Sequence, residues 1–179
     1  MKGIVFTEFL TLVENKFGLD VADQIIEESN LESNGAYTSV GTYDFSEMLS
    51  LLSNLSALSK ISVDDLLQIY AEHFFDVLLK SYPHFFKTHN DPIEFLSVVE
   101  SHIHVEVLKI YPDAELPSFK VLEKTKDKLI MVYTSSRAMY TFGLGLMHKT
   151  FKHYNCKANI LVEKIKEDGT QVKFSINKI

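Results

Sequence analysis

The sequence predicts a mixed α+β domain in which helices come first and an antiparallel sheet second. Three observations carry that expectation. Apolar residues recur at helical spacing over much of the chain up to Ile110, whereas beyond Pro117 β-branched and aromatic runs alternate with polar turns. With 179 residues, 46% of them hydrophobic, and with 13 Phe and 8 Tyr, the chain can offset its folding entropy by burial in one well-packed unit. No linker-like stretch, internal repeat or abrupt shift of composition divides it, so the two parts are expected as subdomains of one domain spanning 1–179.

Residues 2–17 place Val5, Phe9, Leu12 and Val13 on one helical face, with Gly18 following as a C-terminal cap. A second short helix is expected over 20–29. The polar run from Ser29 to Tyr43, which holds Gly35 and Gly41, reads as a turn-rich connection. A third helix should run from Phe45 to about Leu58. Ser62 then caps a long helix with an acid three positions on, and Leu66, Ile69, Tyr70, Phe74, Val77 and Leu78 continue the period. Asp91 as cap, Pro92 in the first turn and Glu94 three residues after the cap start another helix, expected to reach Ile110 without a break. Phe119 to Glu123 and Leu129 to Ser135 read as strands around the turn Lys124 to Lys128. Ser136 to Tyr154 returns to helix. Asn159 to Lys164 and Gln171 to Ile176 form a last hairpin around Asp168-Gly169.

Charge excludes several function classes. A net charge of −6 argues against a general nucleic-acid or anionic-membrane binder, whose affinity comes from excess Lys and Arg on phosphates. All of that excess lies in residues 1–60, which hold nine acids against three lysines, either as a solvated helical face or as a docking surface for a partner. Cys156 is the only cysteine, so an intramolecular disulfide and any Cys-rich metal centre are excluded. Glu8 and Glu14 interrupt the stretch where a secretion signal would need its apolar core, and uncharged runs such as Met48 to Ser59 are too short and polar to span a bilayer. A soluble protein of the reducing cytoplasm is expected.

Two motifs are set aside. Gly143 and Gly145 form a lone G-x-G with no third glycine and no P-loop lysine, which favours close helix packing over a nucleotide site. His153 and Cys156 lie three apart but have no acidic orienter, so they read as packing and surface residues rather than a catalytic dyad.

The helix from Pro92 carries His102 and His104, each with aliphatic neighbours three or four positions away, and periodicity does not choose between them. A neutral imidazole on an apolar face is either a satisfied core histidine or the proximal ligand of a haem, and a haem needs the large aromatic and aliphatic pocket this chain can supply. It also brings two propionates. Tyr133, Ser135 and Arg137 lie at i, i+2 and i+4, and their side chains point one way if extended geometry persists through Arg137. Arg137 is the only arginine in the chain, and its planar guanidinium suits a two-point grip on a carboxylate.

The segment from His104 to Pro112, the Tyr133-x-Ser135-x-Arg137 triplet, and the opening Met1-Lys2-Gly3 with Phe6 and Phe9 together resemble haem nitric oxide/oxygen binding (H-NOX) domains over essentially the whole chain. The resemblance implies the H-NOX fold: a distal helical subdomain over 1–60, packed on a proximal subdomain over 61–179 that holds a signalling helix and an antiparallel sheet, with haem b enclosed between them. It makes His104, rather than His102, the iron ligand and the metal site of the chain. It assigns the propionates to Tyr133, Ser135 and Arg137, and makes Pro117 the residue that presses on the porphyrin. Val5, Phe9, Phe74, Leu78, Phe142 and Leu146 match distal-pocket positions.

In members that hold oxygen, a distal tyrosine donates to the bound gas; here the matching residue is Phe142, and Phe9 and Phe74 stand where its supporting groups would be. Tyr140, two positions away on the same helix, points elsewhere. The resemblance therefore implies a nitric oxide sensor that also binds carbon monoxide and excludes oxygen, and that is no enzyme. By the same resemblance, nitric oxide binding weakens or breaks the iron bond to His104, strain on the porphyrin at Pro117 relaxes, and the N-terminal helices shift against the C-terminal half. Output is expected to pass from a monomer to a separate histidine kinase or cyclic-di-GMP enzyme. Two other readings compete: a peroxidase-like haem enzyme, disfavoured because no distal His/Arg pair is visible, and a haem-free interaction module working through its acidic face.

Overall fold

A computed structural model describes residues 1–179. Five helices occupy the first half of the chain: α1 (Gly3–Phe17), α2 (Leu19–Glu27), α3 (Phe45–Ser59), α4 (Val63–Ser81) and the short α5 (Pro83–Lys87). Then come α6 (Pro92–Ser97), a π-helical turn (Val99–Ile103), α7 (His104–Ile110), β1 (Ser118–Lys124), β2 (Lys128–Thr134), α8 (Tyr140–His153), β3 (Ala158–Lys164) and β4 (Gln171–Lys178). The mixed helical and antiparallel-sheet class expected from the sequence is the class observed. No helix is long and apolar enough to cross a membrane.

The side-chain caps at Ser62 and Asp91 form where the sequence places them, and one at Asp44 joins them without a counterpart in the sequence reading. Asp44 accepts from the Ser46 N–H, Ser62 from the Asp65 N–H, and Asp91 from the Ile93 and Glu94 N–H groups. The sheet joins both predicted hairpins in the order β1-β2-β4-β3, every pair antiparallel. The pairing of β2 with β4, with Tyr133 opposite Val172, makes one sheet of them. Leu129, Met131, Val172, Phe174 and Ile176 fill its inner face, against which the helices pack.

The core has two parts. Phe6, Phe9, Ile25, Met48, Leu52 and Leu55 form the first, and Phe86, Phe95, Met131, Phe151 and Phe174 belong to the second. α4 belongs to both: Leu66, Leu67 and Tyr70 lie in the first and Phe75 in the second. The connection over 29–43 is pinned to α3 by the buried carboxylate of Glu47, which accepts from Ser33 and, at 2.7 Å, from the Tyr37 hydroxyl. Tyr37 in turn stacks on Phe6 at 4.4 Å, which fixes α1.

The structure departs from the sequence reading in three places. The helix expected from Pro92 to Ile110 is broken: Val98, at φ −110° and ψ 6°, ends α6, and a π-helical turn leads into α7. Consecutive β-branched Val98 and Val99 weaken the regular helix there, and the wider turn re-aims the side chains that follow. The helix expected from Ser136 starts only at Tyr140, because Ala138 is left-handed at φ 51° and the Ser135 hydroxyl accepts from the Arg137 N–H at 3.2 Å, a local bond that competes with helix. α5, led by Pro83, has no counterpart in the sequence reading.

Candidate functional site

The two histidines differ in surroundings. His102 is exposed, its Nδ1 3.1 Å from the Ser101 hydroxyl. His104 opens α7 directly after the π-helical turn, and its side chain is only 13% exposed. Its Nδ1 lies 3.2 Å from Oε2 of Glu100, and the same oxygen accepts from the Phe119 N–H of β1 at 2.9 Å. A carboxylate only accepts, so Nδ1 carries the imidazole proton and Nε2 keeps its lone pair, with no hydrogen-bond partner of its own. Burial lowers the pKa of His104 while Glu100 works in the opposite direction, and the balance favours the neutral ring. A neutral imidazole fixed through one nitrogen and free at the other is arranged as a metal ligand with its orienting carboxylate.

An aromatic path leads from this histidine to the second group of predicted site residues. The His104 ring is 5.9 Å from Phe119, and Phe119 is 5.6 Å from Tyr133. Tyr133 is buried, and desolvation raises the pKa of its phenol against the opposing influence of Ser135, the Met139 amide and Arg137. The straight strand assumed for the triplet is not present. β2 ends at Thr134, and Ser135 and Arg137 lie in the turn beyond it, so the turn rather than strand alternation sets how the three are grouped. Arg137, 15% exposed, donates to the Glu115 carbonyl at 2.7 Å and to the Glu115 carboxylate at 2.6 Å, and its guanidinium lies 5.9 Å from the Phe45 ring centroid. Pro117 is half-buried immediately before β1.

The six residues expected to form a pocket wall lie along the boundary of the two cores. Phe9 is buried in the first, with Val5, Phe74 and Phe142 packed against it, while Leu78 and Leu146 pack against the second. Phe74 and Phe142 are 5.8 Å apart. Tyr70 is wholly buried among them, and its hydroxyl donates to the Val5 carbonyl at 2.6 Å. The sequence reading counts Tyr70 only as one apolar position of a helix; a tyrosine at a fully buried helical position calls for an acceptor, which is the signal that could have singled it out.

The motifs set aside stay apart from this site. Gly145 sits where α8 crosses α4, and a Cβ there would come within 2.6 Å of the Ala71 Cβ, whereas one at Gly143 would meet open space. His153 packs on Phe86 and Tyr154 at 5.5 and 4.9 Å, and the Cys156 thiol faces the Tyr154 carbonyl, so the two form no dyad.

The donor set fits a haem. Nε2 of His104 offers one lone pair for iron, and a phenol, a hydroxyl and a guanidinium are donors of the kind carboxylates take. The fork of Arg137 demonstrably takes a two-point oxygen partner, since Glu115 fills it from within the chain. A helical body stacked on a four-stranded antiparallel sheet, with such a histidine at the join, has the make-up of a haem-binding domain.

Comparison with known proteins names the family. The Haem-NO-binding family model matches residues 2–162. The Fe(II) unliganded H-NOX protein of K. algicida is 66% identical, covers 100% of this chain with 97% of its own, and superposes with a TM-score of 0.98. The IWP-051-bound H-NOX of Shewanella woodyi in the Fe(II)CO state is 33% identical over 100% of this chain and 95% of its own, with a TM-score of 0.85. An S. oneidensis H-NOX in the Fe(II)NO state, 20% identical over 100% of this chain and 99% of its own, shares the fold at a TM-score of 0.91. The chain belongs to the H-NOX family of haem-binding gas-sensor domains.

Proposed function

We propose that this chain is a nitric oxide sensor that binds nitric oxide and carbon monoxide at ferrous haem b, excludes oxygen, and regulates a separate signalling protein. The observation that carries this reading is the pairing of His104 with Glu100: it leaves Nε2 unengaged and neutral, while the residues matched to the distal wall are Phe9, Phe74 and Phe142. His104 would hold the iron, Tyr133, Ser135 and Arg137 the propionates, and Pro117 would bear on the porphyrin face. When bound, the haem supplies the iron at which the gas is taken up.

The chain's own residues set the selectivity. Bound dioxygen carries partial negative charge and gains about 1 to 3 kcal/mol from a donor. Phe142, Phe9 and Phe74 donate nothing, so this contribution is missing and the wall favours the less polar gases. His104 would connect ligand to response, because it opens α7 and is braced through Glu100 to β1, so a change in what its Nε2 holds would bear directly on α7. The parts that shift are the distal helices over 1–60 and the proximal part over 61–179, which meet at α4, where Leu66, Leu67 and Tyr70 enter the first core. A partner such as a histidine kinase or a cyclic-di-GMP enzyme reads that shift from a monomer in the cytoplasm, a reading supported by the concentration of negative charge in residues 1–60. A regulator rather than a peroxidase-like enzyme is favoured by the aromatic wall, which holds no acid or base to assist O–O cleavage.

Incubation of the purified chain with hemin should give a Soret band. That band should be lost in His104→Ala and kept in His102→Ala, and the reduced protein should form carbonyl and nitrosyl complexes but no stable oxygen complex in air. Loss of haem in His102→Ala with retention in His104→Ala would overturn the ligand assignment, and an oxygen complex in air would overturn the selectivity.

A further inference from the structure

The aromatic cluster of the distal wall contains one hydroxyl, and it is already engaged. The Tyr70 ring lies 5.4 Å from Phe9, 5.7 Å from Phe74 and 5.1 Å from Phe142, and it is fully buried. Its hydroxyl donates to the carbonyl of Val5 in α1 at 2.6 Å. Burial holds the phenol far above its ordinary pKa, with the charge of Glu8 adding to the effect, so the group stays a neutral donor. The next residue, Ala71, touches α8 at Gly145, which makes this turn of α4 the place where α1, α4 and α8 meet.

We propose that Tyr70 is a positioning residue of the gas pocket: its hydroxyl ties α1 to α4 and sets the spacing of the distal wall, and by spending its only proton on the Val5 carbonyl it stays silent toward a bound gas. The inference rests on the haem reading above for its link to gas binding, while the tie itself is a property of the chain. A wall with an uncommitted phenol could donate to dioxygen. Here a backbone carbonyl, which no side-chain replacement at Val5 removes, holds the phenol aside. The pocket therefore contains a tyrosine and still acts as an apolar one.

The test is Tyr70→Phe, with three readouts. In the chain without haem, backbone amides over residues 5–10 should exchange about five- to tenfold faster, the ratio expected for loss of one hydrogen bond. In the ferrous carbonyl, the CO stretch should stay at the wild-type frequency while CO association accelerates several-fold. A shifted CO stretch would mean that the hydroxyl addresses the gas, unchanged association would reduce Tyr70 to a structural residue, and unchanged exchange would remove the tie; each overturns the proposal. If the variant fails to fold, proton NMR of the wild-type chain decides: a slowly exchanging Tyr70 hydroxyl with a cross-peak to Val5 or Phe6 supports the tie, and its absence overturns it. Failure to take up hemin would defeat the haem reading and leave the exchange result standing.

Discussion

At the scale of single residues, a hydroxyl placed at Phe142 should not by itself turn the proposed pocket into an oxygen binder. Phe142→Tyr puts a phenol beside Phe74, which cannot orient it, and beside Tyr70, whose proton is already given to Val5. The single variant should gain little oxygen affinity, well short of the 1 to 3 kcal/mol or so of a well-held donor. An oxygen titration of the reduced protein checks this, and tight binding would contradict it. Much of the proposed site was legible in the sequence, because His104 and the Tyr133, Ser135 and Arg137 triplet could be picked out by spacing and resemblance. Glu100 stands four positions before His104, but its second hold, on the Phe119 amide, spans 19 residues and comes from tertiary structure. Glu115 was not read at all: it meets Arg137 across 22 residues, and no local pattern encodes that pairing.

Elements show where local signals were strong enough and where they were overruled. Asp91 gave a clear helix start, and the structure adds an ion pair from its carboxylate to Lys178 at 2.5 Å. Burial raises the Asp91 pKa, but Lys178 and the two N–H donors outweigh it and hold the value below 3.8. A depressed carboxylate value means that the stability it contributes is full above the unfolded value and drains away as pH falls through the folded one. Asp91→Ala should therefore cost about 1 kcal/mol or somewhat more near neutrality and much less in acid, where the wild type has lost the same contribution; urea melts across that range measure it. The end of the same helix was misread because the adjacent β-branched Val98 and Val99 weaken a helix without marking a stop, and the hold of Glu100 in the π-helical turn on the Phe119 N–H of β1 is set by tertiary structure. In α8 the two glycines separate cleanly. Gly145→Ala should destabilise by about 1 to 3 kcal/mol by overpacking against Ala71, whereas Gly143→Ala should stabilise slightly through helix propensity, both read as shifts in thermal midpoint.

For the whole molecule, the order of elements and the two hairpins were written locally, but the β2–β4 pairing that fuses them, and the division of the core, were not, because both are decided by contacts distant in sequence. α4 is the one helix with buried residues in both halves of that core, and α8 beside it packs Phe142 against the first and buries Met147 and Phe151 in the second. At 19 residues α4 is about 28 Å long, enough to root at either end in a different set of neighbours. Half the chain cannot loosen its grip on such a shaft while the other half stays intact. Scanning calorimetry should accordingly record one heat-absorption peak whose calorimetric and van't Hoff enthalpies agree, even though the map of apolar contacts shows two islands.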